Sequence, residues 1–136
     1  IRHDHYGWPE APRFAFRPLP WSDIIELPVT TAELGGKRLA AGGGGCFRVL
    51  PYAFSRWAIR QVNRRDQRPA IFYFHPWEID PDQPRVSNAP IKSRVRHYTN
   101  LTGMADKLRQ LIGDFHWGRM DVLASREALR AVTPAG

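Results

Sequence analysis

Cysteine is nearly absent from this sequence, with Cys46 the only one among 136 residues. No internal disulfide can form, so oxidative cross-linking contributes nothing to the fold. Cys46 also lacks a second cysteine or a histidine at ligand spacing and a recognisable base, and it reads as a small half-buried residue. Long apolar runs are missing, and none approaches the ~18 to 20 residues that span a bilayer. An initiating Met and a charged-then-apolar leader are lacking too: the chain opens Ile1-Arg2-His3-Asp4-His5, which reads as a start internal to a longer protein. With neither a signal nor a spanning segment, the expected compartment of that parent is the cytoplasm. Lysine is scarce, at 3 of the 20 basic residues. A GC-rich coding sequence produces such an arginine skew without selection for a ligand.

What is present is ordinary for a globular chain. Hydrophobic residues make up 43% and charged residues 24%, which argues against disorder, collagen-like repeats or coiled coil as whole-chain descriptions. A length of 136 residues supports one core. The net charge of +7 suggests an anionic partner, but the basic residues are spread from Arg2 to Arg130. Solvated arginine on exposed faces is therefore preferred to a dedicated nucleic-acid stripe, and nucleic acid is not an expected partner.

Proline and aromatic residues alternate through residues 1 to 22, predicting an ordered loop, since Tyr6, Trp8, Phe14, Phe16 and Trp21 would be wasted in a flexible linker. Asp23 to Thr31 reads as a buried strand with Pro28 near an end or bulge, and Gly35-Gly36 as a turn. The run Gly42-Gly43-Gly44-Gly45 is no phosphate-binding loop, because it continues into Cys46-Phe47-Arg48 and not Gly-Lys-Ser. It is either a surface turn or a cleft wall where backbone passes close to a ligand. Leu50 to Arg65 predicts an amphipathic helix opened by Pro51, with Phe54, Trp57, Ala58 and Val62 on its buried face. Ala70 to Phe74 is apolar and β-prone, a strand buried on both faces and stopped by Pro76. Strand, helix and strand in this order make a βαβ signature, hence an α/β fold with a parallel sheet or barrel. Residues 76 to 98 read as loop, Thr102 as the cap of a helix to Asp114 carrying Met104, Leu108, Leu111, Ile112 and Phe115 on one stripe, Phe115 to Arg119 as a short strand, Asp121 to Val132 as a helix, and Thr133 to Gly136 as a fraying tail.

His75 is the residue best placed for chemistry. It ends the apolar strand, and strand ends are where side chains enter the active-site cleft of parallel α/β architectures. Partial burial beside a carboxylate suits an imidazole to acid or base work near neutral pH, whereas the plain alternative is a histidine satisfied by a backbone carbonyl. Trp77 could stack on a sugar ring or simply cover the mouth of the barrel. His3-Asp4-His5 has two histidines on one side of an extended segment, but neither His97 nor His116 completes a zinc site, so an exposed terminal segment is preferred. Asp80 and Asp82 are expected to pair with Arg85.

Several segments, taken in order, carry a resemblance. Arg2 to Gly7, Pro9 to Phe14, Glu26-Leu27-Pro28-Val29-Thr30-Thr31, Gly42 to Arg48, Phe72-Tyr73-Phe74-His75-Pro76-Trp77-Glu78-Ile79-Asp80 and Arg96-His97-Tyr98 resemble the C-terminal half of NodB-type polysaccharide deacetylases, of the subgroup linked to exosortase/PEP-CTERM exopolysaccharide loci. The resemblance implies the C-terminal part of a distorted (β/α) barrel over residues 1–123, truncated at its N-terminus, with a helix and tail over 124–136. It implies a metal-dependent hydrolase that removes acetyl groups from an N-acetylated polysaccharide. In that family a divalent metal, usually zinc, activates water, a second Asp acts as base, and a histidine ending a late strand protonates the leaving amine. That last role falls on His75, with Trp77, Arg48 and Gly44 as expected substrate-binding residues.

The departure from the family is the missing metal machinery. Its Asp-rich first motif, His-x-x-x-His motif and Arg-containing third motif lie upstream of the matched region, and none occurs in these 136 residues. The chain alone is expected to bind no metal and to be inactive, with the upstream half of the same parent chain as its partner. The competing expectation is a non-enzymatic basic module binding an anionic glycan or nucleic acid through Arg48, Arg60, Arg64 and Trp77.

Overall fold

A computed structural model describes residues 10–128, 130 and 131. They form a mixed α/β unit with one two-stranded sheet and five α-helices. Strand β1 (Thr31–Leu34) pairs antiparallel with β2 (Lys37–Ala40), placing Thr31 opposite Ala40 and Leu34 opposite Lys37. The two residues between them are Gly35 and Gly36 with φ of +56° and +74°, a backbone that a tight hairpin requires and glycine adopts without strain. The expected strand over 23–31 is corrected: it begins only at Thr31, and upstream there is a single antiparallel bridge between Phe16 and Glu26. Pro28, which has no N–H to donate, lies within the stretch that fails to pair.

Arg13 fixes the N-terminal loop to this hairpin, donating from Nη2 to the Thr31 carbonyl at 2.9 Å and to Asp66 Oδ2 at 3.0 Å. Phe16 is buried as the ordered-loop reading requires, while Trp21 is 81% exposed. Tyr6, Trp8 and the His3-Asp4-His5 group lie outside the described residues.

After β2 come α1 (Gly44–Val49) and α2 (Tyr52–Arg60), then a π-helical turn over Gln61–Arg65. The stripe buried on α2 and this turn is Ser55, Ala58, Ile59 and Val62. Ala58 and Val62 are buried as expected, and the correction is to the two aromatic residues: Trp57 points outward at 38% exposure and Phe54 only flanks the cluster of Ala32, Ala41 and Ala58. Those three alanines let α2 approach the hairpin closely. Gln61 binds the hairpin edge, its side-chain amide accepting from the Glu33 N–H at 2.7 Å and donating to the Glu33 carbonyl at 2.9 Å. It thereby takes the place of a neighbouring strand.

The apolar segment 70–74 runs extended but is not a sheet strand. It meets the glycine run in one parallel bridge between Gly43 and Tyr73, with the Tyr73 N–H donating to the Gly42 carbonyl and the Gly44 N–H to the Tyr73 carbonyl, at 2.8 and 2.9 Å. The expected βαβ unit with a parallel sheet is corrected: among the described residues the sheet is the antiparallel hairpin, segment 70–74 contributes an isolated parallel bridge, and it is not buried on both faces, since Tyr73 and Phe74 are exposed. Residues 76–98 are not all loop: they hold a 3₁₀ turn (Pro76–Ile79) and α3 (Ile91–Tyr98). Gly103, and not Thr102, precedes α4 (Met104–Asp114). The main core joins Phe47, Ile59, Met104, Leu108 and Leu111, with Phe72 and Phe115 packed against it; Ile112 is exposed. Residues 115–119 carry no strand, and α5 spans Met120–Ala128. The boundary expected at 123/124 thus falls inside α5, and the expected tail lies outside the described residues.

Candidate functional site

His75 follows the extended segment and precedes Pro76, whose fixed φ suits the first residue of a helical turn. The peptide at His75 is pinned from both sides. The Glu78 N–H donates to the His75 carbonyl at 2.9 Å, and the His75 N–H donates to Glu78 Oε2 at 2.9 Å, the reach-back a Glu makes three residues into a helical turn. The imidazole itself is exposed.

A carboxylate as buried as Glu78, at 2% exposure, requires a cation beside it. Arg48, at 1% exposure, supplies one, with Nε 3.0 Å from Glu78 Oε1. Its other nitrogens donate to the end of α3: Nη1 to the carbonyls of His97 and Thr99 at 2.9 and 2.8 Å, and Nη2 to that of Arg96 at 3.0 Å. A helix C-terminus carries partial negative charge, so a forked cation fits there well. Since α3 buries none of its residues, this contact is its anchor. Lys107 secures the other side, with Nζ donating to the carbonyls of Phe47, Arg48 and Leu50, and burial lowers its pKa from the ordinary value. Burial likewise raises the Cys46 thiol pKa.

Above this base stand stacked rings. Tyr73 meets His75 edge-on at 5.4 Å, His75 lies nearly parallel to Trp77 at 5.8 Å, and Trp77 stacks on His97 at 3.9 Å. The Arg48 guanidinium is 5.2 Å from the Trp77 ring centre, within cation–π range. Trp77 is therefore half-buried between two imidazoles. The tautomer of His97 follows from Gln83. Gln83 Nε2 donates to the carbonyls of Trp77 and Asp80, so its Oε1 accepts, and the contact of 2.9 Å assigns the proton to His97 Nε2.

These positions redistribute the expected site residues. His75 and Trp77 come together. Arg48 and Gly44 are buried beneath them. A Cβ on Gly44 would lie 2.2 Å from Glu78 Oε2, so the glycine there admits the carboxylate, and a Cβ on Gly42 would lie 2.3 Å from the Ile71 carbonyl. The close approach anticipated for the glycine run is made to the protein itself. Arg60 and Arg64 line a separate groove with Trp57. Arg85 packs over the Tyr98 ring at 5.3 Å, and Asp80 accepts from the Asp82 N–H, in place of the expected pairing.

Sequence reasoning missed Glu78, Gln83 and the role of His97. Glu78 has a readable signal in its place three residues after His75, in the turn that Pro76 opens, whereas His97 stands in the sequence only as a possible metal ligand and within Arg96-His97-Tyr98. Among the described residues no group of three or more His, Cys, Asp or Glu is placed to hold a metal ion. Of the described donors near His75, Glu78 is engaged by Arg48 and His97 by Gln83. Nor, among the described residues, is any helix long and apolar enough to cross a membrane.

A family model described as a domain of unknown function (DUF3473) matches residues 1–125. No curated protein and no solved structure matches the chain.

Proposed function

The chain belongs to the DUF3473 family, and from that premise we propose that it is the C-terminal part of a polysaccharide N-deacetylase, supplying the acid that protonates the leaving amine. The observation that carries this reading is His75: an exposed imidazole at the end of the extended segment, its peptide held by buried Glu78 and its ring flanked by Tyr73 and Trp77. An acid for a departing amine needs an accessible, oriented nitrogen, and the exposure of His75 and its two flanking rings support this reading. The ordered resemblance from the N-terminal segment to Arg96-His97-Tyr98 supplies the reaction class and the distorted barrel. The metal and base belong to motifs these 136 residues do not contain, so no step of this chain's chemistry is routed through them.

Within this reading Arg48 and Gly44 are positioning residues. Gly44 leaves room for Glu78, Arg48 neutralises it, and Glu78 fixes the peptide that carries the acid. The reading is tested in the full-length parent protein with an N-acetylglucosamine oligomer. His75→Ala is expected to lower deacetylation by about 10²-fold or more while bound metal is retained. Unchanged turnover would sink the assignment.

A further inference from the structure

The outward face of α2 carries a groove apart from His75 and independent of the deacetylase reading. Tyr52, Arg56, Trp57, Arg60 and Arg64, with Gln110 from α4, line a groove of about 510 Å³, within the usual range for small-ligand sites. Its charge is uneven. Arg56 sits 2.9 Å from Asp114, and Arg65 is paired with both Glu33 and Asp66. Arg60 and Arg64 have no acidic partner among the described residues. Between them the helix changes to the π-helical turn, with the Asp66 N–H donating to the Gln61 carbonyl. Such turns occur mostly as single interruptions and often at functional sites.

We infer that this groove binds an acidic oligosaccharide, its carboxylates paired with Arg60 and Arg64 and a sugar face laid on Trp57. Guanidinium forks match carboxylates in a bidentate manner, and an indole at 38% exposure beside them provides the apolar surface a sugar ring needs. Nucleic acid fits less well. A stable phosphate-driven complex draws on about 6 to 10 contacts, and the groove has only these two uncompensated guanidinium groups.

Isothermal titration of the full chain with tetragalacturonate at low salt tests the inference, with cellotetraose and an oligothymidylate of equal charge as comparisons. Tetragalacturonate is expected to bind at least about tenfold more tightly than either. The exposed substitution Arg64→Gln, and separately Trp57→Ala, should each weaken it about five- to tenfold with circular dichroism unchanged. No binding of tetragalacturonate, equal binding by the variants, or tighter binding of cellotetraose or the oligothymidylate would overturn the inference.

Discussion

Arg48 is expected to meet a ligand, yet its guanidinium is enclosed, with only 1% of the residue exposed. The reason is local: Glu78 must fold back to hold the His75 peptide, and once buried it needs a partner. Glu78→Ala leaves the guanidinium buried without its carboxylate, and urea unfolding should show a loss of about 3 to 5 kcal/mol. Converting Arg48 to Met in the same chain should not restore stability, because the carbonyls of Arg96, His97 and Thr99 then lose their donor. Full recovery in the double variant would mean that the ion pair alone matters and the α3 anchor does not. At this scale the sequence disclosed His75 and Trp77 as neighbours but not what lies beneath them, since burial of a charge depends on partners 30 and about 50 positions away.

Among the elements, α1 shows most clearly why composition and structure diverge. A run of glycines suggests a mobile turn, but Gly44 and Gly45 open a helix. The two positions predict opposite outcomes. Gly45 faces open space, so Gly45→Ala should raise stability by about 0.5 to 1 kcal/mol through helix propensity. Gly44→Ala drives a methyl into Glu78 and should lower stability by about 1 to 3 kcal/mol. Thermal unfolding of the pair decides between a packed helix and the flexible turn. Prolines misled in the same way. Pro76 is expected to stop a strand inside a loop over 76–98, yet Pro76 and Pro90 each stand at the start of a helical segment, as Pro51 is expected to, where the missing N–H is not needed. The α4 stripe of Met104, Leu108 and Leu111 was legible because its 3.6-residue period is also its burial pattern. The α2 face was misread because two aromatic residues outweighed the small residues that the hairpin requires.

For the molecule as a whole, the mixture of helical and extended segments was legible and the way they pair was not. One bridge joins the glycine run to segment 70–74, since pairing strength depends on neighbours in space that a periodicity does not reveal. The closure of the helices has a readable pH signature. Tyr52 on α2 donates to Asp114 on α4 at 2.7 Å, and burial, reinforced by that carboxylate, raises its pKa from 10 to about 12. A phenol raised in this way contributes stability that is complete below pH 10 and lost as pH climbs through about 12. Denaturant midpoints should fall across that window, and Tyr52→Phe should flatten the fall; an equal slope in both proteins would assign it to other groups. The net charge of +7 is likewise resolved into parts, with Arg13, Arg48 and Arg65 in internal ion pairs and Arg60 and Arg64 left without acidic partners among the described residues.

The role proposed for His75 makes a demand that simple loss of activity does not. An amide must protonate its nitrogen to break, whereas an aryl ester leaves as a stable phenolate without an acid. The decisive measurement is therefore the ratio of N-acetylglucosamine oligomer deacetylation to p-nitrophenyl acetate hydrolysis in the full-length parent, with and without His75→Ala. The ratio should fall by about 10²-fold, with ester turnover changed less than about tenfold. Equal loss on both substrates, or loss on neither, would contradict a leaving-group acid at this position.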